Sequence, residues 1–215
     1  MNDISGDFET HVTVDAGQAA DLAVWAAEHG ATFVHIEIDR GEHTLQPMLT
    51  LHGTGTLTEQ RRIAERWCAR LREAGFRPRR TKIEATPWSS GVPRTDEEAG
   101  TEPRDRHFEH HVKVRLPAAR GAALPALTAL AESHGARLSR NARRWLTGGG
   151  QERFVNQRCH GVGRETATER LERLVTDLRG AGHEIISVEQ EYVAFDDHID
   201  LDAGWLTPSP SAVAR

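Results

Sequence analysis

A seven-residue stretch that occurs twice constrains the fold more than any other feature of the sequence. Phe8-Glu9-Thr10-His11-Val12-Thr13-Val14 and Phe108-Glu109-His110-His111-Val112-Lys113-Val114 begin 100 positions apart. In both, Phe and two Val alternate with Glu, His and a third polar residue. Period two is the spacing of a β-strand with one face on a core and the other turned elsewhere. Glu9, His11 and Thr13 therefore share one face of the first copy, and Glu109, His111 and Lys113 the same face of the second.

The residues around each copy repeat one order. After Val14, Asp15 is placed as an N-cap for a helix to about His29, with Ala19, Leu22, Ala23 and Ala26 at helical spacing and Gly30 as the stop. Thr32–Asp39 reads as a strand, Arg40 to His43 as a turn and Gln46–His52 as a third strand. His52-Gly53-Thr54-Gly55 leads into a second helix with the stripe Ile63, Trp67 and Leu71, closed by Gly75, and a strand follows at Arg80–Ala85. The second half runs in parallel. A helix begins near Pro125, with Leu127, Leu130 and Ala131 on its core side. Strands Arg137–Trp145 and Arg153–His160 flank Gly148-Gly149-Gly150. His160-Gly161-Val162-Gly163 precedes a helix bearing Leu171, Leu174, Val175 and Leu178, and Ile185–Phe195 is the last strand. Each half spells βαββαβ, the ferredoxin-like split βαβ plan. The matched spacing implies a tandem duplication. The expected fold is α+β, with helices on one face of each antiparallel sheet and the polar faces turned toward a shared cleft.

The expected boundaries are a first repeat over 1–85, a flexible linker over 86–106, a second repeat over 107–195 and a C-terminal tail over 196–215. The linker holds three prolines and the acidic run Asp96-Glu97-Glu98. In the tail, Trp205 and Leu206 are expected to fold back, and Asp196, Asp197, His198, Asp200 and Asp202 read as a solvated acidic turn.

Composition narrows the class. A hydrophobic content of 38% and a charged content of 27% suit a globular chain. No apolar run approaches the ~20 residues of a membrane span, and the first residues lack the pattern of a signal peptide. Cys68 and Cys159 both fall in regular elements, as packed, reduced thiols of a cytoplasmic protein would. A net charge of −5 speaks against a general nucleic-acid binder. Of the 27 basic side chains only Lys82 and Lys113 are lysines.

Strand parity selects the candidate site. If Val12, Leu49 and Ile83 face the helices, then Glu9, His11, Thr13, Thr50, His52, Lys82 and Glu84 face away from them. The second half adds Glu109, His111, Lys113, Asn156, Arg158, His160, Glu189 and Glu191. His, Glu, Lys and Arg on one face are the side chains of proton transfer and anion binding. His11 and His111 are expected as acid/base groups tuned by Glu9 and Glu109, with Lys113 and Arg158 neutralising a small anionic, phosphate-bearing substrate. Thr13, His52, His160, Lys82, Glu84, Glu189 and Glu191 complete the lining. The two glycine turns before helices read first as turn geometry and second as anion sites. A non-catalytic binding or regulatory module and a His/Glu metal-dependent enzyme are the alternatives; cofactor and oligomeric state stay open.

His11-Val12-Thr13-Val14 resembles the His-x-Thr-x signature of the two-histidine phosphoesterase family, a duplicated α/β fold with one such strand per lobe. The resemblance implies that His11 is a general acid/base and that Thr13 holds phosphate. The second copy departs from the signature at Lys113. Glu189-x-Glu191 is similar, over three residues, to the acidic strands of triphosphate tunnel enzymes.

Overall fold

The computed structural model describes residues 3–117, 123–143 and 150–206. Eight strands, β1 (Ser5–Val14), β2 (Thr32–Ile38), β3 (Leu45–Thr56), β4 (Pro78–Ala85), β5 (His107–Leu116), β6 (Arg137–Asn141), β7 (Gln151–His160) and β8 (Glu184–Asp196), alternate with helices packed outside them. These are α1 (Ala19–Glu28), α2 (Leu57–Glu73), the one-turn α3 (Asp96–Ala99), α4 (Ala123–Ser133) and α5 (Arg164–Gly180). The molecule is mixed α+β with one eight-stranded antiparallel sheet. The sheet closes into a barrel in the order β1-β3-β2-β6-β7-β5-β8-β4. Within each half the order is the same, β4-β1-β3-β2 and β8-β5-β7-β6. Two seams join the halves: Ile36–Ile38 of β2 pair with Ser139–Asn141 of β6, and Lys82–Ala85 of β4 with Tyr192–Asp196 of β8.

Closure follows from the alternation. Most strands turn an apolar set outward to the helices and a polar set into one lumen, while β2 turns Val34, Ile36 and Ile38 inward. Three apolar clusters lie between barrel and helices. One packs Val12, Leu22, Leu49 and Leu71 of the first half, and one Val112, Leu127, Val155 and Leu174 of the second. The third draws on both, with Phe8, Leu57 and Ile83 against Phe108, Cys159 and Tyr192. Both cysteines are free and buried.

Local structure departs from the sequence expectation in several places. A 3-10 turn at Ala16–Gln18 precedes α1, and Asp15 makes no side-chain cap. The stretch from His52 to Gly55 is not a turn, because β3 runs on to Thr56. Gly53 permits this by leaving room for Gln60, whose Oε1 would stand 2.6 Å from a Cβ there. Thr56 and Glu59 then form a reciprocal capping box for α2. The buried stripe of α2 is Leu57, Gln60, Ala64, Cys68 and Leu71. Ile63 and Trp67 flank it half-buried, the Trp67 ring lying 4.4 Å from the Arg70 guanidinium. Arg144, Trp145, Gly148 and Gly149 of the expected hairpin, and the tail beyond Leu206, lie outside the described residues.

Residues 86–106 carry a β-bridge from Ser90 to Ser5, the capped turn α3, and buried Val92 and Ala99. The start of α5 docks on this segment: Arg164 and Glu165 donate backbone N–H bonds to the carbonyls of Pro93 and Arg94, and Gly163 donates to Asp96 Oδ1. The acidic tail is solvated only in part, at Asp197 and Asp200. Asp196 and Asp202 are buried against Arg80, and the Trp205 indole donates to the Leu138 carbonyl. The tail turns across one end of the barrel because this end supplies buried guanidinium groups that carboxylates must neutralise.

Candidate active site in the barrel lumen

Register decides which inward side chains meet. On β1, His11 stands opposite Thr50 of β3 and Lys82 of β4, and Glu9 opposite His52 and Glu84. On β5, His111 stands opposite Asn156 of β7 and Glu189 of β8, and Glu109 opposite Arg158 and Glu191. Each half therefore presents an imidazole flanked by a hydrogen-bonding residue and by glutamates. Since β4 and β8 are neighbours in the barrel, these side chains form one row across four strands.

His11 Nε2 lies 2.9 Å from Glu84 Oε2 and 3.5 Å from Glu9, with Nδ1 3.0 Å from Thr50 Oγ1. His111 Nε2 lies 3.3 Å from Glu191 and 3.8 Å from Glu109, with Nδ1 2.8 Å from Asn156 Oδ1. Asn156 donates its amide to Ser139 Oγ and the Arg137 carbonyl, so its oxygen faces His111 and the ring must carry a proton on Nδ1. Burial opposes a charged His111, but the hydrogen bond to Glu191 and the charges of Glu109 and Glu191 outweigh it and raise its pKa to about 9. Burial and the nearby charge of Glu84 raise that of Glu191. The surroundings of His111 thus favour its imidazolium form, held 3.3 Å from Glu191.

Below this row lies a buried ionic network. Lys82 Nζ is 2.8 Å from Glu84 and 3.7 Å from Glu109, and Arg158 Nε donates to Glu109 at 3.0 Å. Arg158 and Arg80 both donate to Asp202, and Arg80 also to Asp196. Burial works against the charges of Arg80, Lys82, Glu84, Glu109, Arg158 and Asp202, and the opposite charges override it. The pKa of Lys82 is raised by Glu109 and Glu84, that of Glu109 is lowered by Arg158 and Lys82, and that of Asp202 falls to about 2 beside Arg80 and Arg158.

The row and the network form one wall of a cavity of about 190 Å³. The opposite wall is mainly apolar, made by Val34, Ile36 and Ile38 of β2, Met48 of β3, Phe154 of β7 and Trp205 of the tail, with Gln46 and Ser139 among them. That is larger than the ~150 Å³ cavity that takes up a benzene molecule. A groove lined by Asp7, His52, Gly53 and Glu84 shares Glu9, Glu189 and Glu191 with the cavity, and so leads into it from the end away from the tail.

Of the residues singled out from sequence, Glu9, His11, Thr13, Lys82, Glu109, His111, Arg158, Glu189 and Glu191 line the cavity. Glu84 is 1% exposed and stands between His11 and Lys82. Three lie elsewhere. His52 is in the outer groove, 3.7 Å from Glu9. His160 stacks on His107 outside the cavity, where burial, His107 and Arg158 lower its pKa to about 4. Lys113 is inward but one step further along β5, ion-paired with Glu152 at 3.1 Å and set over the Phe154 ring. Neither glycine motif offers free amides to an anion. Leu57 and Thr58 of α2 donate to the Ile4 carbonyl and Asp3, and the start of α5 is taken up by residues 93–96. Sequence reasoning missed Arg80, Asp202, Trp205 and the apolar wall. Arg80 shares the parity of Lys82, and Val34, Ile36 and Ile38 share one strand face; the tail residues have no periodicity to read.

Among the described residues, Glu84, His111 and Glu191 bring ligand-type atoms within 4.8 Å of one another, the spacing a divalent ion requires. Lys82 Nζ lies 2.8 Å from Glu84, so an ion bound there would have to displace it. Among the described residues, no helix is long and apolar enough to cross a membrane.

No family model and no curated protein matches the chain. Among solved structures, one described as "putative glycine cleavage system transcriptional repressor" overlaps 87% of this chain and 97% of its own at 10% identity, with a TM-score of 0.31. A mutant chlorite dismutase from Candidatus Nitrospira defluvii overlaps 89% and 92% at 11% identity, with a TM-score of 0.29. A second mutant of that enzyme overlaps 92% and 93% at 15% identity, with a TM-score of 0.27. At these scores the likeness carries neither fold nor function over to this chain, whose reading rests on its own residues.

Proposed function

We propose that the chain is an enzyme performing histidine-based acid/base chemistry on a small molecule held in the barrel lumen. One observation carries this reading: each half supplies an imidazole to the wall of a single small cavity, His11 held by Glu84 behind it and His111 by Glu191. His111 is the proton donor: its Nε2 proton passes to the substrate and the ring becomes neutral, with Asn156 keeping the other proton on Nδ1. His11 serves the opposite side of the substrate. Thr50 and Asn156 orient the two rings, and Glu9 and Glu109 tune them. The site belongs to a tandem duplication of a ferredoxin-like unit, with repeats over 1–85 and 107–195, a linker over 86–106 and a tail over 196–215. The common strand order of the halves supports that division.

The expectation of an anionic substrate draws less support. Arg80, Lys82 and Arg158 are each engaged by buried carboxylates, so an anion would have to displace Asp202, Glu84 or Glu109. The amphipathic lumen suits a molecule with an apolar body and one hydrogen-bonding end.

A binding module is the second reading, favoured by the engagement of both nitrogens of both rings. Turnover separates the two. Small amines, carbonyl compounds and esters incubated in D2O are followed by NMR for conversion or deuterium uptake. The enzyme converts or exchanges at least one of them, and the His11→Gln/His111→Gln variant, still folded by circular dichroism, loses that activity by about 10²-fold or more. Saturable binding without turnover assigns the binding module; full turnover in the double variant refutes the role of the histidines.

A further inference from the structure

The carboxylates of the lumen fall into two groups. Glu84, Glu109, Asp196 and Asp202 stand against Arg80, Lys82 and Arg158 and are neutralised by them. Glu9, Glu189 and Glu191, at the junction of cavity and groove, are not. Glu9 contacts the imidazoles of His11 and His52, Glu191 that of His111, and no ion pair reaches Glu189. Among the described residues no arginine or lysine lies within ion-pair distance of these three. Asp7 adds a further carboxylate to the same groove. Glu84, 1% exposed, also lines the groove, with Lys82 Nζ at 2.8 Å and His11 Nε2 at 2.9 Å from its carboxylate. Even with His111 charged, seven carboxylates (Glu9, Glu84, Glu109, Glu189, Glu191, Asp196 and Asp202) face four cations (Arg80, Lys82, Arg158 and His111). A concave, partly desolvated site with such an excess of one sign concentrates ions of the opposite sign. The far wall, from Val34 to Trp205, is mainly apolar, and its polar side chains, Gln46 and Ser139, are bonded to Asp202 and Asn156.

We infer that the ligand of the lumen is a small organic cation, an ammonium or amidinium group on an apolar body. Its charged end lies among Glu9, Glu189 and Glu191, and its body lies against Ile36, Met48 and Phe154. The inference rests on the reading that the lumen is a ligand site, and it reverses the charge that the basic residues alone suggest. Carboxylates accept N–H donors in charge-assisted hydrogen bonds, which give direction as well as attraction. The apolar wall selects against small inorganic cations, for which it has no ligands.

Isothermal titration of the full chain with methylamine, butylamine and benzylamine, and with the matched benzyl alcohol and benzoate, tests it. Benzylamine or butylamine binds with one-to-one stoichiometry, at least about tenfold more tightly than the alcohol, as expected when a charge-assisted bond replaces a neutral one. Benzoate does not bind. The exposed Glu189→Gln substitution weakens amine binding severalfold, and Glu9→Gln/Glu189→Gln weakens it further, with unchanged thermal unfolding of the free protein. Failure of every amine, or equal affinity for alcohol or benzoate, overturns the inference. So does saturation by MnCl2 or ZnCl2 alone that excludes the amines, since the cation is then a metal ion. Amine binding without conversion leaves the inference standing and removes the catalytic reading. Conversion confined to neutral or anionic compounds does the reverse.

Discussion

His111 is the residue whose surroundings most clearly set its chemistry. Asn156 fixes a proton on Nδ1, Glu191 accepts at Nε2, and Glu109 adds a second negative charge, so the folded protein binds the imidazolium more tightly than water does. A folded-state pKa of about 9 against an ordinary value of 6.5 makes a signed prediction for stability. The contribution of this group is fully present below about pH 6.5 and is lost as pH rises through about 9, because above that value neither state binds the proton. Urea unfolding at pH 6, 8 and 10 therefore shows stability falling across the alkaline interval, and His111→Gln flattens that fall. An unchanged slope in the variant assigns the loss to other groups. His110, its neighbour in sequence, shows how completely one step along a strand changes the outcome. It points outward into the packed layer, hydrogen-bonds Gln157, and burial lowers its pKa to about 4, leaving it neutral. Parity alone separates the two histidines, which is why the inward direction of His111 was legible in the sequence.

At the scale of elements, what could be read was whatever repeats with a period. Strand parity located the inward Glu, His and Lys side chains, and Gly30, Gly75, Gly135 and Gly182, all at positive φ, ended the helices as expected. Segments without a period were misread, since their partners are distant in sequence. Asp202 looks solvated until Arg80 and Arg158, brought together by β4 and β7, are placed beside it. Residues 93–96 look like linker until α5 is set upon them. Gly163 makes that contact specific: a Cβ there would stand 2.3 Å from the Thr95 carbonyl carbon and 2.5 Å from the Arg94 oxygen, both main-chain atoms. Gly163→Ala must push α5 away from this segment, and is expected to destabilise the protein by about 1–3 kcal/mol, as overpacking does. Gly180→Ala, at the other end of α5 with nothing within 4 Å of the added atom, is the control. It should be neutral or mildly stabilising, as alanine is in a helix. Chemical denaturation of both variants decides the matter; equal stabilities would mean that residues 93–96 yield freely.

The whole molecule answers a question that the repeated halves leave open, namely whether they are two domains or one. Duplicated modules joined by a Pro-rich segment invite a picture of two lobes with a cleft between them, and the polar strand faces fit that picture as well as they fit a lumen. The difference lies in the seams, which no pattern within either half encodes. Ile83 pairs with Phe195 and Glu37 with Arg140, each across the boundary. Outside the β4–β8 seam, Phe8, Ile83, Phe108 and Tyr192 share one apolar cluster with Val92 of the connecting segment. Inside, Lys82 of the first half is neutralised partly by Glu109 of the second, and Arg80 by Asp196 and Asp202. Separating the halves would expose that cluster and strand buried charges without their partners. Removal of one member of such a buried pair costs about 3–5 kcal/mol, of the same order as the stability of a small domain. The halves are therefore expected to unfold together. Tryptophan fluorescence and far-UV circular dichroism should trace one coincident urea transition, and Phe108→Ala should lower its midpoint by the ~3–5 kcal/mol of a large buried side chain without splitting it. Two resolved transitions, with only the later one moved by Phe108→Ala, would show that the halves fold as separate units and that the lumen is an interface able to open.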